Sequence, residues 1–186
     1  MLADSRLVLL DIDGVVLDLM GAVHNVDNRF NPDRILDYDF KLPGYGIPRE
    51  EVLRLLNNPE VFSKARYEDK AIEGIRLLKE YGYNIKAYTL VPDNQEIYNI
   101  RREQISRLGL EGYIFKGDKA YIKNVWAIID DSPHILNKYS SRTNRIIINQ
   151  TYNKDYNKES IIRADNLLEA ANILKSIEAL ELTDNI

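Results

Sequence analysis

The sequence predicts an α/β protein, a doubly wound parallel sheet with a small helical cap inserted after the first strand. Three observations predict it. Short apolar runs at 7–10, 84–89, 113–115, 125–129 and 145–148 have the β-prone composition of strands in a parallel sheet. From about residue 68 onward they alternate with helical patterns, as strand-helix-strand units do. One interval breaks that rhythm: the first strand ends near Asp11 and the next begins near Asn84, whereas such a unit needs only about 30 residues.

Leu7-Val8-Leu9-Leu10 stops at Asp11-Ile12-Asp13-Gly14, as a buried strand does on reaching a polar loop. The long interval holds a helix at 18–25, a turn-rich aromatic stretch at 28–48 and a helix at 48–56. An insertion there sits over the strand ends, so residues 16–66 are expected to form a cap, with 1–15 and 67–186 as the core. At 70–81, Ile72, Ile75, Leu77 and Leu78 share one side and Gly82 stops the helix. The helix at 94–108 ends likewise at Gly109. After the last apolar strand, Tyr152-Asn153-Lys154-Asp155 is nearly repeated by Tyr156-Asn157-Lys158-Glu159, which reads as an exposed loop. Ile161-Ile162 is expected to add an edge strand and 166–180 a closing helix.

Of 186 residues, 45% are apolar and 29% charged, the balance of an ordinary globular chain. The 25 basic and 29 acidic residues leave a net charge of -4, so no nucleic acid polymer is expected as partner. The lack of cysteine excludes disulfides, thiolate catalysis and cysteine-held zinc, and two histidines disfavour a multi-histidine metal site. A bound metal is then held by oxygen. The apolar run at 7–10 is far shorter than the ~20 residues of a membrane span, and Asp4, Asp11 and Asp13 interrupt any signal-peptide pattern. A cytoplasmic protein without membrane association is expected, and Asn149-Gln150-Thr151 is expected to be a plain polar loop.

Four features fall at predicted strand ends: Asp11 with Asp13, then Thr89, then Lys119, then Asp130 with Asp131. In a parallel sheet these ends converge. Gathered carboxylates raise one another's pKa unless a cation offsets them, and oxygen ligands select Mg2+, which binds through carboxylates and substrate phosphate. Such a site suits a phosphate ester. Its hydrolysis calls for a carboxylate nucleophile, a second carboxyl as acid, and positive charge on the transferring group. Lys116 competes with Lys119 for the lysine role, and Lys123 less so.

Asp11-Ile12-Asp13-Gly14-Val15 resembles the first motif of the haloacid dehalogenase superfamily of phosphohydrolases, in which the first Asp is nucleophile and the second acid and base. Thr89 after Ala87-Tyr88, Lys119 in Gly117-Asp118-Lys119, and Asp130-Asp131 after Ile128-Ile129 match the second, third and fourth motifs. The likeness spans nearly the whole chain and implies a Rossmann-like core. Gly117-Asp118-Lys119, Lys123-Asn124, Asn149-Gln150-Thr151-Tyr152-Asn153, Ile162-Arg163 and Tyr38-Asp39-Phe40 are similar to the 5'(3')-deoxyribonucleotidases. Leu90 stands where the better-studied nucleotidases place Ser, which implies one pocket hydroxyl fewer, and 66–71 lacks the frequent Pro-Gly.

The resemblance implies a magnesium-dependent phosphomonoesterase acting on a small phosphorylated substrate, a nucleoside monophosphate first. Asp11 attacks phosphorus, Asp13 serves as acid and base, and Thr89 and Lys119 hold the phosphoryl oxygens. Asp11, the Asp13 carbonyl and Asp130 take Mg2+ with Asp131 in support. Phe30, Tyr38 and Phe40 are candidates to contact the substrate, by stacking on a base, and Tyr45 is weighed with them, although aromatics in a small cap more often form its own core. Trp126 is expected in the core, His24 and His134 in surface or capping roles, and Arg101 and Arg102 on a solvated helix face. The alternatives are a phosphatase of another metabolite, a dehalogenase or phosphomutase of the same superfamily, or a non-catalytic receiver-like module. Asp13 argues against a dehalogenase, which needs no such acid and base, and a receiver has no acidic pair after its lysine.

Overall fold

The apolar run at the start of the chain forms β1 (Leu7–Leu10), and its last three residues are fully buried. The computed structural model describes residues 6–37 and 39–183. Beyond β1 the chain closes a tight loop in which the Ile12 carbonyl accepts from both Val16 and Leu17 N–H, at 2.9 and 2.8 Å. A two-residue strand, β2 (Leu17–Asp18), leads away. Asp18 then caps α1 (Leu19–Val26) by accepting from Gly21 N–H at 2.6 Å. A short 3-10 turn (Pro32–Arg34), α2 (Arg49–Leu55) and α3 (Pro59–Lys64) follow, and β3 (Arg66–Tyr67) returns antiparallel to β2. The chain therefore leaves the sheet and rejoins it through one narrow ribbon.

Strands and helices then alternate: α4 (Ala71–Glu80), β4 (Asn84–Val91), α5 (Gln95–Arg107), β5 (Glu111–Lys116), β6 (Ala127–Asp130), α6 (Pro133–Leu136), β7 (Asn144–Ile148), β8 (Ile162–Ala164) and α7 (Leu167–Thr183). The six long-range strands make one parallel sheet in the order β5-β4-β1-β6-β7-β8. The chain steps outward from β1 to β5 and then crosses to the other side. The carboxyl ends of β1, β4 and β6 thus flank the point where the winding reverses, the place at which open α/β sheets bind ligands. The predicted fold class holds. The elements that sequence periodicity does not reveal, α3, α6 and the 3-10 turns at Pro32–Arg34 and Thr151–Asn153, are six residues or shorter, too brief for a helical repeat to show.

Alternation along β1 divides the core. Val8 and Leu10 pack with α4 and α7 through Ile75, Leu78, Leu167 and Leu174, while Leu9 faces Tyr88, Ile128 and Ile147 on the other side. A further cluster joins Leu19, Val23, Phe30, Val52, Leu55 and Phe62 and takes in Val91 and Ile97 from the sheet side. The helices between the ribbon strands therefore have their own apolar centre, seated over β4 and α5. Among the described residues no helix is long and apolar enough to cross a membrane.

Candidate active site

Asp11 is the first residue past β1, and it is buried. One carboxylate oxygen accepts from Ile12 N–H at 2.7 Å, and the other meets the Lys119 ammonium at 2.8 Å. Lys119 lies in the loop after β5 and also donates to Asp130 Oδ2 at 2.9 Å. The other oxygen of Asp130 accepts from Ser132 N–H at 2.8 Å, so both are engaged. Asp131 accepts from the Tyr152 hydroxyl, and its carbonyl accepts from Asn153 Nδ2 at 2.8 Å. Of the competing lysines, Lys116 is exposed and pairs with Asp93 at 2.8 Å, and Lys123 is exposed, so Lys119 alone of the three enters the cluster.

The charges do not balance. Carboxylate oxygens of Asp11, Asp130 and Asp131 approach within 4.8 Å of one another, all buried. Burial, and next the Asp11 charge, push the pKa of both Asp130 and Asp131 upward. Burial disfavours charge on Lys119, yet Asp11 and Asp130 more than offset it and hold the ammonium protonated. One ammonium among three carboxylates leaves negative charge over, which a divalent cation with oxygen ligands would neutralise.

Asp13 faces the same cavity and pairs through Oδ1 with Arg101 of α5. Burial raises the Asp13 pKa, with Arg101 opposing. Arg101 thus departs from the expectation of a solvated face: its side chain is 0% exposed. The reason is helical spacing, because Arg101 lies four residues from both Ile97 and Ile105, on the buried stripe of α5. Thr89, near the end of β4, is fully buried and its hydroxyl has no hydrogen-bond partner among the described residues. Gly14 adopts φ +73°, and a Cβ there would stand 2.4 Å from Asp131 Oδ2 and 2.8 Å from the Tyr152 hydroxyl.

A cavity of about 460 Å³ opens over this cluster. Asp11, Asp13, Lys119 and Asp131 form its polar end, and Leu19, Met20, Phe40, Leu56, Phe62, Leu90 and Val91 contribute apolar walls. Asp130 and Thr89 are not on that surface. Of the aromatic candidates, Phe40 lines the cavity and Tyr38 lies outside the described residues. Phe30 is corrected from substrate contact to core: it is fully buried, 6.0 Å ring to ring from the buried Tyr45. Trp126 is only partly buried, with Arg6 4.8 Å over its ring, and His24 holds the Phe30 carbonyl at 2.6 Å.

The 149–153 segment is more than a polar loop. Gln150 Nε2 donates to the Gly14 carbonyl at 2.8 Å, Tyr152 reaches Asp131, and Asn153, itself held by Arg163 at 2.9 Å, supports the Asp131 backbone. The available sign was the likeness of Asn149-Gln150-Thr151-Tyr152-Asn153 and Arg163 to the nucleotidases. For Arg101 the sign was its place between two isoleucines at helical spacing.

Residues 5–180 match the family model described as 5' nucleotidase, deoxy (pyrimidine), cytosolic type C protein. Among solved structures, a haloacid dehalogenase-like family hydrolase from Streptococcus pneumoniae is similar at 15% identity and TM-score 0.55, covering 91% of this chain and 98% of its own. A D,D-heptose 1,7-bisphosphate phosphatase from Burkholderia thailandensis is similar at 12% identity and TM-score 0.54, covering 92% and 99%. A dehalogenase structure gives 14% identity and TM-score 0.57 over 93% and 98%. At these identities the structures speak for the fold. No curated protein sequence matches significantly.

Proposed function

The chain belongs to the 5' nucleotidase, deoxy (pyrimidine), cytosolic type C family, a phosphatase family of the haloacid dehalogenase superfamily, and on that premise we propose a magnesium-dependent phosphomonoesterase that acts on nucleoside monophosphates through an aspartyl-phosphate. The observation that carries the reading is the Asp11 carboxylate, buried between the Ile12 N–H and the Lys119 ammonium at the polar end of the cavity. An oxygen of Asp11 forms a bond to phosphorus as the bond to the leaving oxygen breaks, and the Asp13 carboxyl gives its proton to that oxygen. A water then loses a proton to Asp13 and attacks the phosphorus, which frees Asp11 and releases phosphate. Lys119, on the cavity surface, holds phosphoryl oxygens, and the buried Thr89 hydroxyl, without a hydrogen-bond partner among the described residues, joins it once bound substrate opens the floor of the cavity to it.

The donor set fits magnesium, with Asp11, the Asp13 carbonyl and the acidic pair after β6 as its holders. Within that pair we assign the ligand to Asp131, because it lines the cavity while both oxygens of Asp130 are engaged by Lys119 and Ser132. Bound there, the cation supplies Lewis-acid stabilisation of the phosphoryl charge. Residues 16–66 act as the cap: Leu19, Met20, Phe40, Leu56 and Phe62 come from this segment and face Leu90 and Val91 of the core across the cavity. Those apolar walls suit an uncharged, ring-bearing leaving group such as a nucleoside.

The test is phosphate release with magnesium across nucleoside monophosphates, sugar phosphates and other small monoesters, with Asp11→Asn as blank. Turnover of nucleotides that Asp11→Asn reduces to background is expected. Turnover that survives in Asp11→Asn sinks the mechanism, and activity confined to sugar phosphates sinks the substrate assignment.

A further inference from the structure

An unpaired guanidinium is too costly to bury, so the enclosure of Arg101 needs a reason. Nη2 donates to Asp13 Oδ1, whereas Nε and Nη1 have no hydrogen-bond partner among the described residues. The guanidinium carbon stands 5.3 Å from the centre of the Phe62 ring, in α3. The Phe62 carbonyl accepts from Gln104 Nε2 at 2.8 Å, so α3 and α5 are tied where Arg101 lies. Among the described residues, only Oδ1 of Asp13 takes a hydrogen bond, and the residue lines the cavity.

We propose that Arg101 is a positioning residue: it clamps one oxygen of Asp13 so that the other faces the leaving oxygen, and Phe62 of the cap seats the clamp. The inference rests on the reading of Asp13 as proton donor. A partly exposed aspartate on a loop would otherwise sample several rotamers, and a misplaced donor forfeits proton transfer without loss of the nucleophile. Because the guanidinium does not line the cavity, it acts through Asp13 and not on substrate. When Asp11 bonds to phosphorus, the proton on the free Asp13 oxygen passes to the departing alkoxide, and Asp13 is left as a carboxylate beside the guanidinium. A phenolate that leaves unaided needs no such proton.

The experiment compares kcat/KM for benzyl phosphate, a poor leaving group, with that for p-nitrophenyl phosphate, a good one, both with magnesium; kcat/KM reports only the steps through loss of the alcohol. Arg101→Met is expected to lower the benzyl value ~100-fold and the nitrophenyl value less than ~10-fold, the pattern also expected of Asp13→Asn. Arg101→Lys keeps the charge but not the planar fork, and falls between. An unchanged benzyl-to-nitrophenyl ratio in either folded variant overturns the clamp, as does loss of the cooperative thermal transition in both, which would make Arg101 structural. Failure of the underlying reading looks different: wild type inactive on both esters, or Asp13→Asn with no leaving-group dependence.

Discussion

The Thr89 hydroxyl is fully buried and accepts or donates no hydrogen bond among the described residues. Leaving a polar group buried without a partner costs roughly 1–3 kcal/mol, a cost that disappears if the group is replaced by methyl. Thr89→Val should therefore hold or raise the thermal midpoint while phosphate release falls about 10–100-fold; equal activity would remove the hydroxyl from the site. Gly14 is constrained differently, by its φ of +73° and by Asp131 and Tyr152 against the missing side chain. Gly14→Ala displaces Asp131, and a displacement of that kind can cost ~100-fold in turnover, measured as kcat with magnesium saturating. Asp11, Asp13, Thr89, Lys119, Asp130 and Asp131 were legible because each is chemically distinctive and sits at a predicted strand end. Tyr152 and Gln150 were legible only through the likeness of their segment to the nucleotidases, since a loop side chain carries no periodic signal of its destination.

Among the elements, α4 and α7 approach closely at Gly74, where a Cβ would lie 2.6 Å from Leu167 Cγ and 2.8 Å from the Leu167 carbonyl oxygen. Alanine gains up to about 1 kcal/mol in helix propensity, whereas overpacking costs about 1–3 kcal/mol. The clash wins because one contact is backbone and cannot rotate away. Gly74→Ala should lower the thermal midpoint by about 2–6 °C and leave kcat unchanged, read by thermal unfolding and phosphate release. Long helices such as α5 announced themselves through apolar spacing, but the same spacing put Arg101 on the buried stripe. Charge argued for solvent there and period argued for burial; period was right because Asp13 was waiting to pair with it.

For the whole molecule, the joint between ribbon and sheet holds a second carboxylate pair. Glu68 follows β3, its N–H bonds the Val16 carbonyl at 3.0 Å, and burial together with the Asp18 charge raises its pKa to about 7. The folded state then binds a proton that the unfolded chain releases at its ordinary, lower pKa, so this contribution is complete below about 4.5 and is lost as pH rises through about 7. Glu68→Gln should raise the thermal midpoint over wild type more at pH 8 than at pH 4.5; the opposite order would contradict the assignment. At 100-fold excess over its dissociation constant, magnesium should raise the wild-type midpoint by about 5–10 °C, and Asp131→Asn should lose most of that rise in the same scan.

By itself the sequence determined the order of the sheet strands and the longer helices, the class of sheet they build and the oxygen-only chemistry at its carboxyl edge. These follow from periodicity and residue type, which are local in the chain. Only the tertiary structure decided that Arg101 meets Asp13 across 88 positions, that Tyr152 meets Asp131 across 21, that Asp131 and not Asp130 looks into the cavity, and that Phe30 is core while Phe40 is wall. Each depends on how separately formed elements stack. Two adjacent aspartates at a strand end are the same residue to the sequence, and they differ only in which face of the sheet's edge receives them.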